Sequence, residues 1–94
     1  MQDLKRGLTL NEALPLMQKV GGFFVLETKD RFVAVLEAND TSYRVIFERP
    51  KDVTRPDIIA NASPEVLSMS GRFPLNGLPE FGEYRITAVK KLTD

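Results

Sequence analysis

Residues 23–48 read FFVLETKDRFVAVLEANDTSYRVIFE. This stretch holds three apolar runs, 23–28, 31–38 and 41–48, separated by Lys29-Asp30 and Asn39-Asp40. The runs are rich in Phe, Val, Ile and Tyr, whose branched and aromatic side chains suit a pleated surface. Asn and Asp tolerate positive φ, so Asn39-Asp40 is a fair two-residue hairpin turn, whereas Lys29-Asp30 is a poorer one. With both loops two residues long, Thr28 faces Arg31 and Ala38 faces Thr41, and side chains alternate between faces along each strand. One face then collects Phe23, Val25, Phe32, Ala34, Leu36, Tyr43, Val45 and Phe47, with Glu27 as its polar member. The other collects Phe24, Leu26, Val33, Val35 and Ile46 among Thr28, Arg31, Glu37, Ser42, Arg44 and Glu48. A slipped register would mix these sets, so the clean first face argues for an antiparallel meander. Arg31 falls opposite Glu48, a favourable cross-strand pair.

Upstream of the meander, Leu10, Ala13, Leu14, Met17 and Val20 recur at helical spacing. Thr9 with Glu12 would form a capping box, and Asn11 is the competing cap. Pro15 favours Asn11, because proline is cheap in a first turn and costly deeper in a helix. The expected helix spans about residues 12–20 and stops at Gly21-Gly22, which suit a left-handed turn. Residues 1–8 read as a frayed or extended leader. Downstream, 49–56 holds two prolines and reads as a loop, and 57–61 as a helical turn or short strand. Ser63-Pro64-Glu65 is a good helix start, predicting a short second helix over about 64–70 that ends at Gly71. A final strand is expected over 83–92, with Tyr84, Ile86 and Ala88 on one side. The order predicts an α+β fold: an N-terminal helix packed on a three-strand antiparallel meander plus a C-terminal strand, with a bent sheet or partial barrel as the variant.

The chain has 94 residues, one domain's worth, and residues 1–94 are expected to fold as a single unit. It contains neither cysteine nor histidine. That excludes disulfides, thiolate nucleophiles, Ser-His-Asp and Cys-His catalysis, and zinc held by those residues. Thirteen basic residues balance thirteen acidic ones, with six of each sign in 1–47, so no net field draws the chain toward nucleic acid or anionic lipid. The N-terminus lacks the apolar run of a signal peptide, and no apolar run approaches a membrane span. A cytoplasmic location is expected, and the initiating Met suggests a complete small reading frame. Stand-alone chains of this kind are common among bacterial and phage accessory proteins.

Without His or Cys only oxygen ligands remain for a metal, and no closely spaced carboxylate cluster provides them, so no metal site or cofactor is expected. Ser42, Ser63, Ser68 and Ser70 have no histidine to activate them. No catalytic residue is assigned. Glu27, in the apolar face, would have a raised pKa if buried, but a strand end lets it reach water. Arg44, Arg49, Lys51 and Arg55 cluster in sequence near the end of the third strand and form a candidate anion-binding group. Glu48, Asp52 and Asp57 stand among them and favour a solvated loop of mixed charge. The stretch from Arg72 to Gly82 carries Phe73, Leu75, Leu78 and Phe81 together with two prolines and an Asn76-Gly77 turn signal. These side chains are expected to plug the sheet's open end or its second face or, on the sharper reading, Arg72, Phe73, Leu78 and Phe81 anchor a partner. The second sheet face, if bare, would be a larger apolar patch than monomers usually expose, and needs the 64–82 segment or a second subunit over it.

Three functional classes follow. The first is a small non-enzymatic protein-binding or regulatory module, with a protein partner and a homodimer through the second sheet face as expectations. The second is a nucleic-acid or nucleotide-phosphate binder using the 44–55 loop and Arg72, less favoured as the net charge is zero. The third is a small enzyme using carboxylates and arginine, ranked last for want of the usual proton-transfer groups.

Overall fold

In the computed structural model, residues 4–28, 30–38, 40–54 and 72–92 are described. The element order is α1 (Leu10–Gln18), β1 (Gly22–Thr28), β2 (Arg31–Ala38), β3 (Thr41–Glu48), β4 (Arg72–Pro74), a 3₁₀ turn (Pro79–Phe81) and β5 (Arg85–Leu92). The strands form one antiparallel sheet in the order β4-β1-β2-β3-β5, with β4 and β5 at its two sides. The architecture is therefore α+β, one helix against an open five-stranded sheet. The second helix expected over 64–70, and the segment 57–61, lie outside the described residues.

The β2–β3 register is the one the alternation predicts. Ala38 pairs with Thr41, Phe32 with Phe47, Leu36 with Tyr43 and Arg31 with Glu48. Asp40 adopts φ 65°, the left-handed backbone that the turn requires and that Asp tolerates. The β1–β2 hairpin differs. Thr28 pairs with Arg31 as expected, but Leu26 then pairs with Phe32, leaving Glu27 as the extra residue of a β-bulge. One added residue moves every side chain beyond it to the opposite face. Phe24 and Leu26 therefore enter the core, and Phe23 and Val25 take the other side, the reverse of the unbulged reading. A second bulge lies in β5, where Ile86 pairs with Phe47 and Ala88 with Ile46, leaving Thr87 over. Tyr84 and Ile86 face the core as expected, while Ala88 pairs with Ile46 on the opposite face.

The core lies between the sheet and α1. Phe32 stacks on Phe47 at 4.9 Å between ring centroids and meets Phe24 edge-on at 5.2 Å and Phe81 at 5.3 Å. Leu10, Ala13 and Met17 of α1 are buried against this cluster, and Leu14, Leu16 and Val20 pack at its margin. Phe32, Tyr43 and Phe47 share one side of the sheet, with Tyr43 partly buried. Leu75, Leu78 and Phe81 are buried in the same cluster, and the proline-broken stretch that carries them is not wholly a loop, since it opens with the short strand β4 paired to β1.

The cap of α1 is Thr9, not Asn11. Its hydroxyl accepts from the Glu12 N–H at 3.2 Å, and the Glu12 carboxylate accepts from the Thr9 N–H at 3.0 Å. The C-terminal segment supplies the rest: the Leu10 N–H donates to the Tyr84 carbonyl at 2.8 Å and the Asn11 N–H to Gly82 at 3.0 Å. All four N-terminal donors of the helix are thus satisfied. That set offsets having Pro15 inside the helix, where it removes the hydrogen bond to the Asn11 carbonyl. The leader is not frayed from Leu4 onward. Leu4 is buried, the Gly7 N–H donates to the Ile86 carbonyl at 2.9 Å, and the Ile86 N–H donates to Leu8 at 2.8 Å. This short segment covers the first part of the β5 edge.

Candidate partner-binding surface

The face of the sheet opposite α1 forms an open groove of about 600 Å³. Its floor is apolar: Phe23 and Val25 from β1, Val33 and Val35 from β2, and Ile46 from β3. The registers align these in rows across the strands. One row runs Arg72, Val25, Val33, Ile46, Ala88, and the next runs Pro74, Phe23, Val35, Arg44, Lys90. Both rows exist because of the Glu27 bulge, which turns Phe23 and Val25 to this side.

Four cations and one carboxylate stand around the floor. The Glu27 carboxylate accepts from Arg31 Nε at 3.0 Å, so these two neutralise each other. The Arg72 guanidinium lies over the Phe23 ring, 4.5 Å from its centroid. Arg44 and Lys90 are exposed and sit directly opposite each other on β3 and β5. Directly opposed residues bring their Cβ atoms to about 5 Å, and like charges there are destabilising. Among the described residues the ion pairs are Arg31–Glu27 and Arg49–Asp30, so Arg44, Lys90 and Arg72 join none. Glu48, on the same face of β3, accepts instead from the Thr87 hydroxyl at 3.0 Å.

Among the described residues of the 44–55 group, Arg44, Arg49 and Lys51 have separate surroundings. Arg44 lies mid-strand on the groove. Arg49 is half-buried: its Nε donates to Asp30 Oδ1 at 2.7 Å, its backbone N–H to the Asp30 carbonyl at 2.8 Å, and its Nη1 to the Val53 carbonyl. It ties the β1–β2 turn to the 50–53 turn. Lys51 is exposed in that second turn, and Arg55 lies outside the described residues. Of the four residues expected to anchor a partner from the 72–81 segment, Leu78 and Phe81 are 5% and 1% exposed and belong to the core. Phe73 is half-buried against it, and Arg72 reaches the groove. Lys90, absent from the sequence reading, joins Arg44 only through the β3–β5 register. Nothing in the chain's linear spacing reports that pairing, since the residues are distant in sequence.

Among the described residues, no group of three or more carboxylates could hold a metal ion, and no helix is long and apolar enough to cross a membrane. No family model, curated protein or solved structure matches this chain.

Proposed function

We propose that this chain is a small non-enzymatic binding module that engages a protein partner through the open face of its sheet. The observation that carries the reading is that a half-buried apolar floor on the sheet face opposite α1, with Ile46 buried at its centre, is bordered by Arg44, Lys90 and Arg72, none in an ion pair among the described residues. An apolar surface rimmed by polar groups is characteristic of an interaction site, and charged groups at the rim set specificity and encounter rate. The reading moves the expected contact from the 72–81 segment, where Leu78 and Phe81 serve the core, to the groove. The 44–55 phosphate site is the weaker reading, because Arg49 is engaged with Asp30 and Val53.

The test is selection of binders from a displayed random-peptide library, followed by backbone amide shift mapping with a recovered peptide. Shifts concentrated at Val33, Val35, Arg44, Ile46 and Lys90, and loss of binding in V33D, are the expected result. Shifts confined to residues 75–81 would move the site elsewhere, and failure to enrich any binder would end the module reading.

A further inference from the structure

We infer that the groove takes an extended acidic–apolar peptide segment of another protein, with carboxylates seated on the Arg44–Lys90 pair and on Arg72. This rests on the open-face reading above and names the partner's chemistry. Two opposed cations on neighbouring strands repel in the free protein. A carboxylate placed between them turns that repulsion into two charge-assisted contacts, so the pair favours the bound state over the free one. Arg72 stands on the far edge strand, its guanidinium held in place by the Phe23 ring. The sheet between the edges is four interstrand spacings wide, about 19 Å, which an extended chain covers in about six residues. Such a segment would carry acidic residues toward both ends and aliphatic ones between, over Val25, Val33, Val35 and Ile46.

Two other occupants fit less well. A second copy docked face to face would bring four cations and one carboxylate from each side into one interface, an excess of like charge, since isologous pairing uses the same patch twice. The groove's own carboxylate, Glu27, is already held by Arg31 and cannot relieve that repulsion. A single-stranded nucleic acid needs aromatic platforms for its bases. The groove's one ring, Phe23, has Arg72 across a face, and the rest of the floor is aliphatic.

The deciding experiment compares peptides recovered from the random library against the parent chain and R44E/K90E, by fluorescence anisotropy over a series of salt concentrations. R44Q/K90Q serves in its place if thermal melting shows the reversal variant unfolded. The expected result is recovered sequences with Asp or Glu flanking aliphatic residues, affinity falling at least about tenfold in the variant, and weakening with added salt. Peptides without acidic enrichment, or acidic peptides that bind the variant as well as the parent, would overturn the inference. If V33D still abolished their binding, the open-face reading would survive that failure. Parallel samples test the alternatives: tighter binding of a single-stranded oligonucleotide than of any peptide, or a salt-resistant dimer in sedimentation lost in V33D, would each overturn it.

Discussion

Gly21 and Gly22 stand side by side after α1, yet each is required for a different reason. Gly21 has φ 85° with open space where a Cβ would sit. Gly22 has φ 157°, and a Cβ there would lie 2.2 Å from the Val35 carbonyl oxygen. G21A is therefore expected to cost about 1 kcal/mol, the backbone penalty alone. G22A should cost clearly more, about 3 kcal/mol, because the strand pair must also part. Urea midpoints of the two variants check the order. Glu12 illustrates an electrostatic effect on the same scale. The Thr9 N–H and then the Thr9 hydroxyl donate to its carboxylate, and Arg85 adds attraction, holding its pKa below the ordinary 4.5 against weak desolvation. A carboxyl whose folded pKa is depressed adds stability above its unfolded pKa and loses it as pH falls through the folded value. Parent and E12Q should therefore differ most above pH 4.5 and converge below it, as followed by urea unfolding across acid pH. Arg44 gives the opposite kind of test. R44E sets a carboxylate opposite Lys90 and should raise stability by about 0.2–1 kcal/mol while weakening partner binding. Stability and binding changing in opposite senses would mark Arg44 as retained for the surface, not the fold.

At the scale of elements, α1 shows how tertiary contacts choose between local signals. Asn11 and Thr9 were both plausible caps, and Pro15 pointed to the former. The choice fell to Thr9 because Tyr84 and Gly82 receive the next two backbone donors, a partnership made by residues far along the chain. T9A is expected to cost about 1 kcal/mol and N11A to stay within about 0.5 kcal/mol, measured by chemical denaturation. The 72–81 segment raises the same issue for apolar side chains. Its composition shows that Phe73, Leu75, Leu78 and Phe81 must be accommodated, but not whether by the core or by a partner. Phe81 is enclosed by Phe32 and Tyr84, with centroids 5.3 and 4.8 Å away. F81A should therefore lose about 3–5 kcal/mol, and F73A, half-buried at the margin, markedly less. Equal losses would mean that the segment is not buried as described.

On the scale of the whole molecule, the bulges at Glu27 and Thr87 decide which residues are inside. They shift β1 and part of β5 by one residue against the β2–β3 hairpin, which keeps the predicted register. Deleting Glu27 should leave Leu26 opposite Phe32 and Val25 opposite Val33, so the deletion variant should fold with a loss below about 1.5 kcal/mol. Deleting Val25 instead would exchange the faces of the residues before it and should leave the chain unfolded by circular dichroism. The amino-acid sequence alone determined the helix, the strands β1, β2, β3 and β5 but not β4, the β2–β3 pairing, the aromatic side shared by Phe32 and Phe47, and the absence of histidine and cysteine chemistry. These follow from side-chain periodicity and composition, which are local properties. Tertiary structure decided the cap, the sheet order, the docking of the leader on β5, the faces of Phe23 through Leu26, and the meeting of Arg44 with Lys90. Each of those depends on which distant backbone group takes a hydrogen bond, and alternation along one strand carries no record of a residue bulged out of it.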